Sequence, residues 1–399
     1  PYIPVALAMQ KAGLKVVMVE GQAFNGPAGD VADGLHHLPA DFKRDPEMPA
    51  QQPHYPCPLL FEGWKRNADK VRATMNKFKE AGVTVDAVWL DWEVEPYGGE
   101  SERREAAACS RCRAMFPAGV LDDRVKYRQF ISDLRNNLFS TYFAAPIAEV
   151  FPRASTNNWE LVYSSKEHPT MQCWGAGNLP AANLNLFTAA NPVAYGNSIY
   201  YQYHWKKEWN WPLDEEHMDR LYTHIMFGQV SQHRHNAMKM GAWKQSVPWV
   251  ARYCPDDEDP KIPVLTRARY REILRHIWLR GTDSMQIFNP SRTPWSAIMT
   301  EEIEDVVSVY DEMLEYRRFL EQGTVLNVDV PETKYEGAVW SGMRVGDRAV
   351  IRAFTEGKQT VKTEISAFEG TKTQIECPPE GTTYMLKLAG GKVEVVKRP

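Results

Sequence analysis

The sequence predicts an α/β fold, an eight-stranded (β/α)8 TIM barrel followed by a small all-β sandwich domain. Three observations point to it. Strand-like and helix-like segments alternate as far as about residue 322, the pattern of a parallel sheet covered by helices. An apolar strand pattern at 84–90 runs directly into carboxylates at every second position, Asp91, Glu93 and Glu95. After Gly323 the period changes to short alternating apolar runs separated by Gly and Pro, which reads as a sandwich of about 75 residues. The expected domains are therefore 1–322 and 323–399.

The elements follow in order. Residues 2–12 are helix and 14–20 a buried strand ending at Glu20. Residues 21–57 form a long loop rich in Gly, Pro, Asp and His, and a loop of that length inside a compact domain is usually functional. A long helix at 61–81 is closed by Gly82, and the carboxylate strand comes next. A second loop covers 96–120 and holds Cys109 and Cys112. Helix follows at 122–150 and strand at 154–163. Another strand spans 192–203, ending Ser-Ile-Tyr-Tyr-Gln-Tyr, and the loop after it carries Trp205, Trp209 and Trp211. Helix at 213–240, strand at 246–253, helix at 266–280, strand at 283–289 and helix at 301–322 complete the α/β part. In the last domain, strands are expected at 338–340, 348–354, 360–365 and 384–388.

Six strands are visible where a barrel needs eight. Either the first strands lie upstream of Pro1 or two are unmarked by periodicity. Counting back from 283–289 as the eighth, the carboxylate strand is the fourth. The alternative is an open doubly wound sheet, which no Gly-x-Gly-x-x-Gly or Walker-type loop supports.

Side chains alternate across a strand, so Asp91, Glu93 and Glu95 share one face if the strand continues. Two carboxylates side by side, flanked by Trp89, Trp92 and Tyr97, suit glycosidic bond cleavage. That reaction needs one protonated and one ionised carboxyl. The plainer reading is an acidic strand end that ion-pairs with a neighbouring loop.

Composition narrows the function classes. The 399 residues carry a net charge of −4 and are 43% hydrophobic. No Lys/Arg block favours nucleic acid, and no apolar run approaches the roughly 20 residues of a membrane span. Thirteen Trp, 17 Tyr and 15 Phe supply flat faces on which sugar rings stack, although large cores consume aromatics too. The chain begins at Pro1 with no leader pattern and is read as a mature form or a piece of a longer chain. A polysaccharide-degrading protein is expected to be secreted or periplasmic.

Residues 86–93 read Asp-Ala-Val-Trp-Leu-Asp-Trp-Glu. This resembles the fourth barrel strand of family 18 chitinases, Asp-Gly-x-Asp-x-Asp-Trp-Glu, with Trp89 at the middle Asp position. The resemblance implies Glu93 as general acid/base and Asp91 as the group orienting a substrate 2-acetamido nucleophile. Asp86, Trp89 and Asp91 are also similar to the family 31 α-glycosidase strand, Asp-Gly-x-Trp-x-Asp-Met-Asn-Glu-Pro, with the frame slipped by one residue after Asp91. That resemblance implies Asp91 as a covalent nucleophile. Both cover about a dozen residues and together point to a retaining glycoside hydrolase on a barrel. The segment 109–116 also looks like loops in large bacterial barrel hydrolases.

Barrel chemistry sits at the C-terminal ends of strands, which selects the remaining candidates. Glu20 ends the first strand. Trp159 and Glu160, after Asn157 and Asn158, lie on another, and Glu160 is a remote carboxylate for Asp91 or Glu93. Tyr201 and Tyr203 end the Tyr-rich strand on one face, and His204 and Trp205 follow to line the cleft with Trp92. Arg252 ends its strand and suits an acidic or sulfated sugar, or an ion pair with the acidic run 256–259. Asn289 ends its strand, whereas Asp283 starts one and belongs at the opposite rim.

No cofactor and no metal is assigned. Cys109-x-x-Cys112 suits a local disulfide, free thiols or half a zinc site, but no second such pair or His-x3-His completes it. Adjacent His36 and His37 are weak metal evidence. His233 and His235 would lie about 200° apart on a helix.

The expected activity is retaining hydrolysis of an oligo- or polysaccharide by Glu93 and Asp91, the like charge of Asp91 raising the Glu93 pKa. The alternatives are a catalytically inactive carbohydrate-binding barrel and a polysaccharide lyase using Tyr201 or Tyr203 with Arg252. The sequence leaves oligomeric state open.

Overall fold

A computed structural model describes residues 2–20, 36–43, 57–90, 100–163, 172–174, 189–195, 215–239, 245–252, 265–287, 297–331 and 336–398. The chain divides into two compact units, Pro1–Glu160 with Cys173–Asn191, and Leu161–Gln172 with Pro192–Pro399.

The first unit contains α1 (Tyr2–Lys11), β1 (Val17–Glu20), α2 (Phe61–Glu80), β2 (Ala87–Leu90), α3 (Glu100–Ala108), α4 (Ser110–Met115), α5 (Arg124–Phe139), α6 (Ala145–Val150) and β3 (Ser155–Tyr163). Strands β1, β2 and β3 are parallel neighbours in that order. Helices lie in both crossovers, as parallel pairing demands.

The strand β2 is buried on both faces, Val88 at 0% exposure and Trp89 at 5%, which is why it reads as a continuous apolar run. Its entry is set by α2, whose buried face runs Trp64, Asn67, Ala68, Val71, Met75 and Phe78. The helix ends in a Schellman arrangement. Val83 N–H donates to Phe78 O at 3.0 Å and Gly82 N–H to Lys79 O at 3.0 Å. The left-handed φ of +81° at Gly82 is what that turn requires. Helix α5 starts from Asp123, whose carboxylate accepts from Val125 N–H at 2.8 Å and Lys126 N–H at 3.0 Å, an N-cap worth about 1 kcal/mol. Between α5 and α6 a π-helical turn, Ser140–Ala144, precedes Pro146, whose ring and missing N–H disturb a regular helical ladder.

Residues 96–120 do not form the single loop expected from sequence: α3 and α4 occupy much of it. The α3 segment has Ala and Glu, which favour helix. It lacks the apolar stripe on which helix recognition depends, because Glu102 and Glu105 occupy buried positions.

The second unit has the parallel strands β5 (Ala189–Tyr195), β7 (Trp249–Ala251) and β8 (Gln286–Ile287), paired in that order. Short β6 (Gln245–Ser246) pairs with β5, and, largely within the first unit, the short strand β4 (Gln172–Trp174) pairs with β3. Helices are α7 (Glu215–Lys239), α8 (Arg267–Trp278), α9 (Ala297–Met313) and α10 (Arg317–Gln322). The expected strands at 192–203 and 283–289 are described as Ala189–Tyr195 and Gln286–Ile287.

The change of pattern at Gly323 coincides with the start of antiparallel structure. Strands β9 (Thr324–Val325), β10 (Ala338–Val345), β11 (Arg348–Thr355), β14 (Thr382–Ala389) and β15 (Lys392–Arg398) form one sheet in the order β15-β14-β11-β10-β9. Strands β12 (Val361–Ile365) and β13 (Thr373–Cys377) form a hairpin. Ile351, Ala353, Ile365, Phe368, Ile375, Tyr384 and Leu386 make the core. The β14–β15 turn is Gly390-Gly391, both at positive φ, as a two-residue hairpin loop that matches strand twist requires.

Helix α8 is joined to this sheet by a buried ionic network. Arg352 grips Glu272 with two bonds of 2.8 and 2.6 Å, at side-chain exposures of 8% and 5%. The His276 ring bonds Glu272 at 3.2 Å and Ser341 Oγ at 2.8 Å, and Arg280 Nε donates to the same hydroxyl at 2.9 Å. Burial works against ionised Glu272, but His276 and Arg352 outweigh it and hold the carboxyl near 2. Burial holds His276 down to about 4.

Arg352→Met is expected to cost up to about 3–5 kcal/mol in urea unfolding, since it strips buried Glu272 of its two-bond partner and leaves it only the longer contacts to His276 and Arg275. Adding Glu272→Met should recover much of that loss. Both shifts are downward, so stability falls on acidification. The unfolded chain takes up a His proton below about pH 6.5 and a Glu proton below about 4.3. The folded chain refuses both until about pH 4 and about pH 2. Unfolding midpoints measured from pH 7 to 3 should decline, less steeply in His276→Gln.

Candidate functional site

The register of the first three strands defines a rim. Glu20 pairs with Leu90 and Leu90 with Asn158, so these three positions lie level at the C-terminal ends of β1 and β2 and along β3. Leu90 is the residue immediately before Asp91 in sequence. Trp159 and Glu160 continue β3 beyond Asn158. The structure thus brings Glu20 and the Asn157–Glu160 stretch of β3 beside the strand that leads into the carboxylates. Asp91, Trp92, Glu93, Glu95, Tyr201, Tyr203, His204, Trp205 and Asn289 lie outside the described residues.

The other end of β2 is structural. Asp86 accepts from Val16 N–H at 2.9 Å and from Lys15 Nζ at 2.8 Å. Partial burial pushes its carboxyl upward, but Lys15 and the Val16 amide prevail and its pKa is lowered. Asp86 therefore fastens β2 to β1 at the rim opposite Leu90. Trp89, one of the aromatics that made the motif look sugar-binding, is a core residue. Its indole N–H has no hydrogen-bond partner among the described residues.

Arg252, just past β7, is engaged by protein. Its Nη1 pairs with Glu301 Oε2 at 2.6 Å and its Nε donates to Leu265 O at 2.9 Å. Its backbone N–H donates to Glu302 Oε1 at 2.7 Å, and Tyr270 OH reaches the same oxygen at 3.3 Å. Sequence reasoning offered the run 256–259 as the Arg252 partner and missed Glu301. It missed Glu302 as well, which burial pushes up to about 7, because nothing in a Glu-Glu pair at the head of a helix marks one of them as buried. Asp283 lies before β8, away from its C-terminal end. It accepts from Ser246 N–H at 2.7 Å, and burial raises its pKa.

A second cluster lies in the first unit. Cys57, Cys109 and Cys112 are free thiols, so of the disulfide and the free thiols left open for the Cys-x-x-Cys pair, the thiols are found. His36 Nδ1 approaches Cys112 Sγ to 3.6 Å, and the donor atoms of His36, Cys109 and Cys112 all lie within 4.8 Å of one another. Cys57 packs on the same small core. His36 and Cys57 come to this region singly, 73 and 52 positions before Cys109 (109 − 36 and 109 − 57).

Neither a family model nor a curated protein sequence matches the chain. Among solved structures it is similar to a β-galactosidase from the Antarctic haloarchaeon Halorubrum lacusprofundi. That match has a TM-score of 0.48 and 12% identity, and covers 79% of this chain and 51% of the other. It is also similar to a GH36 α-galactosidase from Geobacillus stearothermophilus, with a TM-score of 0.45 and 8% identity over 98% and 46% of the two chains. A maltogenic α-amylase from Thermotoga neapolitana matches with a TM-score of 0.44 and 8% identity over 99% and 80%. The chain spans about half the length of the first two. Among the described residues no helix is long and apolar enough to cross a membrane.

Asp86→Asn tests which end of β2 carries chemistry. Loss of the charge-assisted bonds to Lys15 and Val16 is expected to lower unfolding free energy by about 1–2 kcal/mol. The pH profile of any saccharide cleavage should be unchanged, because Asp86 sits at the rim opposite Leu90.

Proposed function

We propose that this chain is a glycoside hydrolase acting with retention on an oligo- or polysaccharide. One observation carries the reading. The buried parallel strand β2 ends level with Glu20 and Asn158, and the residues that follow it are carboxylates at alternate positions, Asp91, Glu93 and Glu95. In parallel α/β folds, the C-terminal ends of strands are where ligands bind and reacting groups gather.

The chemistry follows from the pair. Glu93 donates a proton to the leaving oxygen and then takes one from the attacking water. Ionised Asp91 keeps Glu93 protonated at the start through like-charge repulsion. Asp91 then either bonds the anomeric carbon or steadies a substrate group that does so. Alternate residues on one strand face have Cβ atoms about 7 Å apart, a spacing that can bracket one sugar ring. Glu95, Trp92, Glu20, Trp159, Glu160, Tyr201, Tyr203, His204, Trp205 and Asn289 are the proposed substrate contacts. Arg252, also proposed as a contact, is a weaker candidate than these, because Glu301 and Leu265 already hold its Nη1 and Nε. The lyase alternative loses its cation for the same reason.

The test is product analysis on a panel of polysaccharides and N-acetylhexosamine oligomers, with wild type beside Glu93→Gln and Asp91→Asn. Wild type should release reducing ends. Each variant should lose about a hundred- to ten-thousand-fold in rate, the usual worth of a general acid/base, while sugar binding persists. Binding without release in all three would make the chain a sugar-binding scaffold. A product absorbing in the ultraviolet would make it a lyase.

A further inference from the structure

The cluster around Cys109 and Cys112 combines four features that metal coordination requires. First, its donors converge from three places in sequence. His36 comes from the segment before α2, Cys57 from the start of the α2 approach, and Cys109 and Cys112 from the α3–α4 junction. Second, the donors are close. The three atoms of His36, Cys109 and Cys112 fall within 4.8 Å, and a tetrahedral ion with bonds of about 2.0–2.3 Å holds its ligands roughly 3.3–3.8 Å apart. Cys57 packs on the same small core, outside that group of three.

Third, one sulfur is already oriented by the backbone: the His37 N–H donates to Cys109 Sγ at 3.2 Å, the kind of bond that turns a thiolate toward a bound ion. Fourth, the support is built. Ser110 N–H donates to His37 O at 3.2 Å, and Cys57 O accepts from Leu60 N–H at 3.0 Å and Trp64 Nε1 at 3.1 Å. The His37 ring is turned to Arg111 at 2.8 Å, which leaves His36 as the imidazole facing the sulfurs.

We infer that His36, Cys109 and Cys112 form a structural zinc site, with Cys57 closing on the ion from the same small core to make a Cys3His set. The soft sulfur-rich donor set selects zinc over magnesium or calcium. Four protein donors close the coordination sphere, so the ion holds structure and takes no substrate. Binding replaces the protons on the thiols, which pass to solvent, so uptake weakens with acidification. The site is independent of the glycosidase reading and survives its failure.

Metal analysis of the purified full chain, after dialysis against zinc and then metal-free buffer, should find about one zinc per chain. Cobalt(II) exchanged into wild type should give intense thiolate-to-metal charge-transfer absorption and tetrahedral d–d bands, a readout that needs no variant. Cys109→Ser with Cys112→Ser should reduce bound metal to background, and His36→Ala should lower retention. Cys377→Ser, a buried thiol on β13 outside the cluster, should keep the full complement. Cys57→Ser should cut the charge-transfer intensity by about a third, one thiolate in three. Absence of those bands in wild type, or zinc retained by the double variant, would overturn the site. An unchanged cobalt spectrum in Cys57→Ser would overturn the four-ligand set.

Discussion

The placement of the candidate chemistry depends on the burial of β2 on both faces. Val88 and Trp89 point to opposite sides of the strand and neither reaches solvent. A one-residue slip would exchange the two faces and drive a Trp into the space of a Val. The Asp86 carboxylate adds a second constraint by bonding Val16 N–H and Lys15 at the strand's start. Register with β1 is thereby set at both ends, Val17 with Ala87 and Glu20 with Leu90. The position at which the chain leaves the sheet and enters its acidic run is fixed by these contacts.

Much of this order was legible because it rests on periodicity. The α2 helix, with its 3.6-residue apolar stripe and Gly82 stop, was expected within a residue of its observed end. Strand β3 was expected at 154–163 and starts one residue later, whereas β1 and β2 were expected over 14–20 and 84–90 and keep only the last four residues of each. The α3 and α4 helices were not, because their buried positions include Glu102, Glu105 and Cys112. Strands β13 and β15 were not among the runs singled out, for a related reason. Thr373–Cys377 and Lys392–Arg398 put polar residues on most of their exposed positions and carry too few apolar residues to stand out. In the candidate site, strand ends could be read but tertiary partners could not. Arg252 paired with Glu301 across 49 positions, and His36 met Cys112 across 76. No local spacing encodes either pairing.

The second unit shows what such distant pairings cost and what they secure. Glu272, His276, Arg280 and Arg352 are all nearly or fully buried, and desolvating charge at that depth opposes folding. The network is tolerable because most of its donors have acceptors, Arg280 Nη2 being the exception among the described residues. Two guanidinium nitrogens of Arg352 face the two carboxylate oxygens of Glu272, and Ser341 bridges His276 to Arg280. A neutral His276 fits this scheme as donor to Glu272 and acceptor from Ser341. An apolar helix face could slide on an apolar sheet. A bidentate ion pair cannot, and α8 is held in one register on β10 and β11.

The thiol–imidazole cluster applies the same logic to the chain around the acidic run. Residues 91–99 leave from Leu90 and arrive at Glu100, where α3 begins. One end is anchored by the sheet, and the other leads through α3 directly to Cys109. Fixing both ends of a nine-residue segment removes much of its closure entropy in advance, a cost that grows with the logarithm of loop length. If Asp91 and Glu93 act as proposed, they must be held to within about half an ångström to be effective. Zinc at His36, Cys57, Cys109 and Cys112 would supply the anchor without joining the reaction. It would tie residues 36 and 57 to the α3–α4 junction in one step and stiffen the approach to Glu93 from outside the sheet.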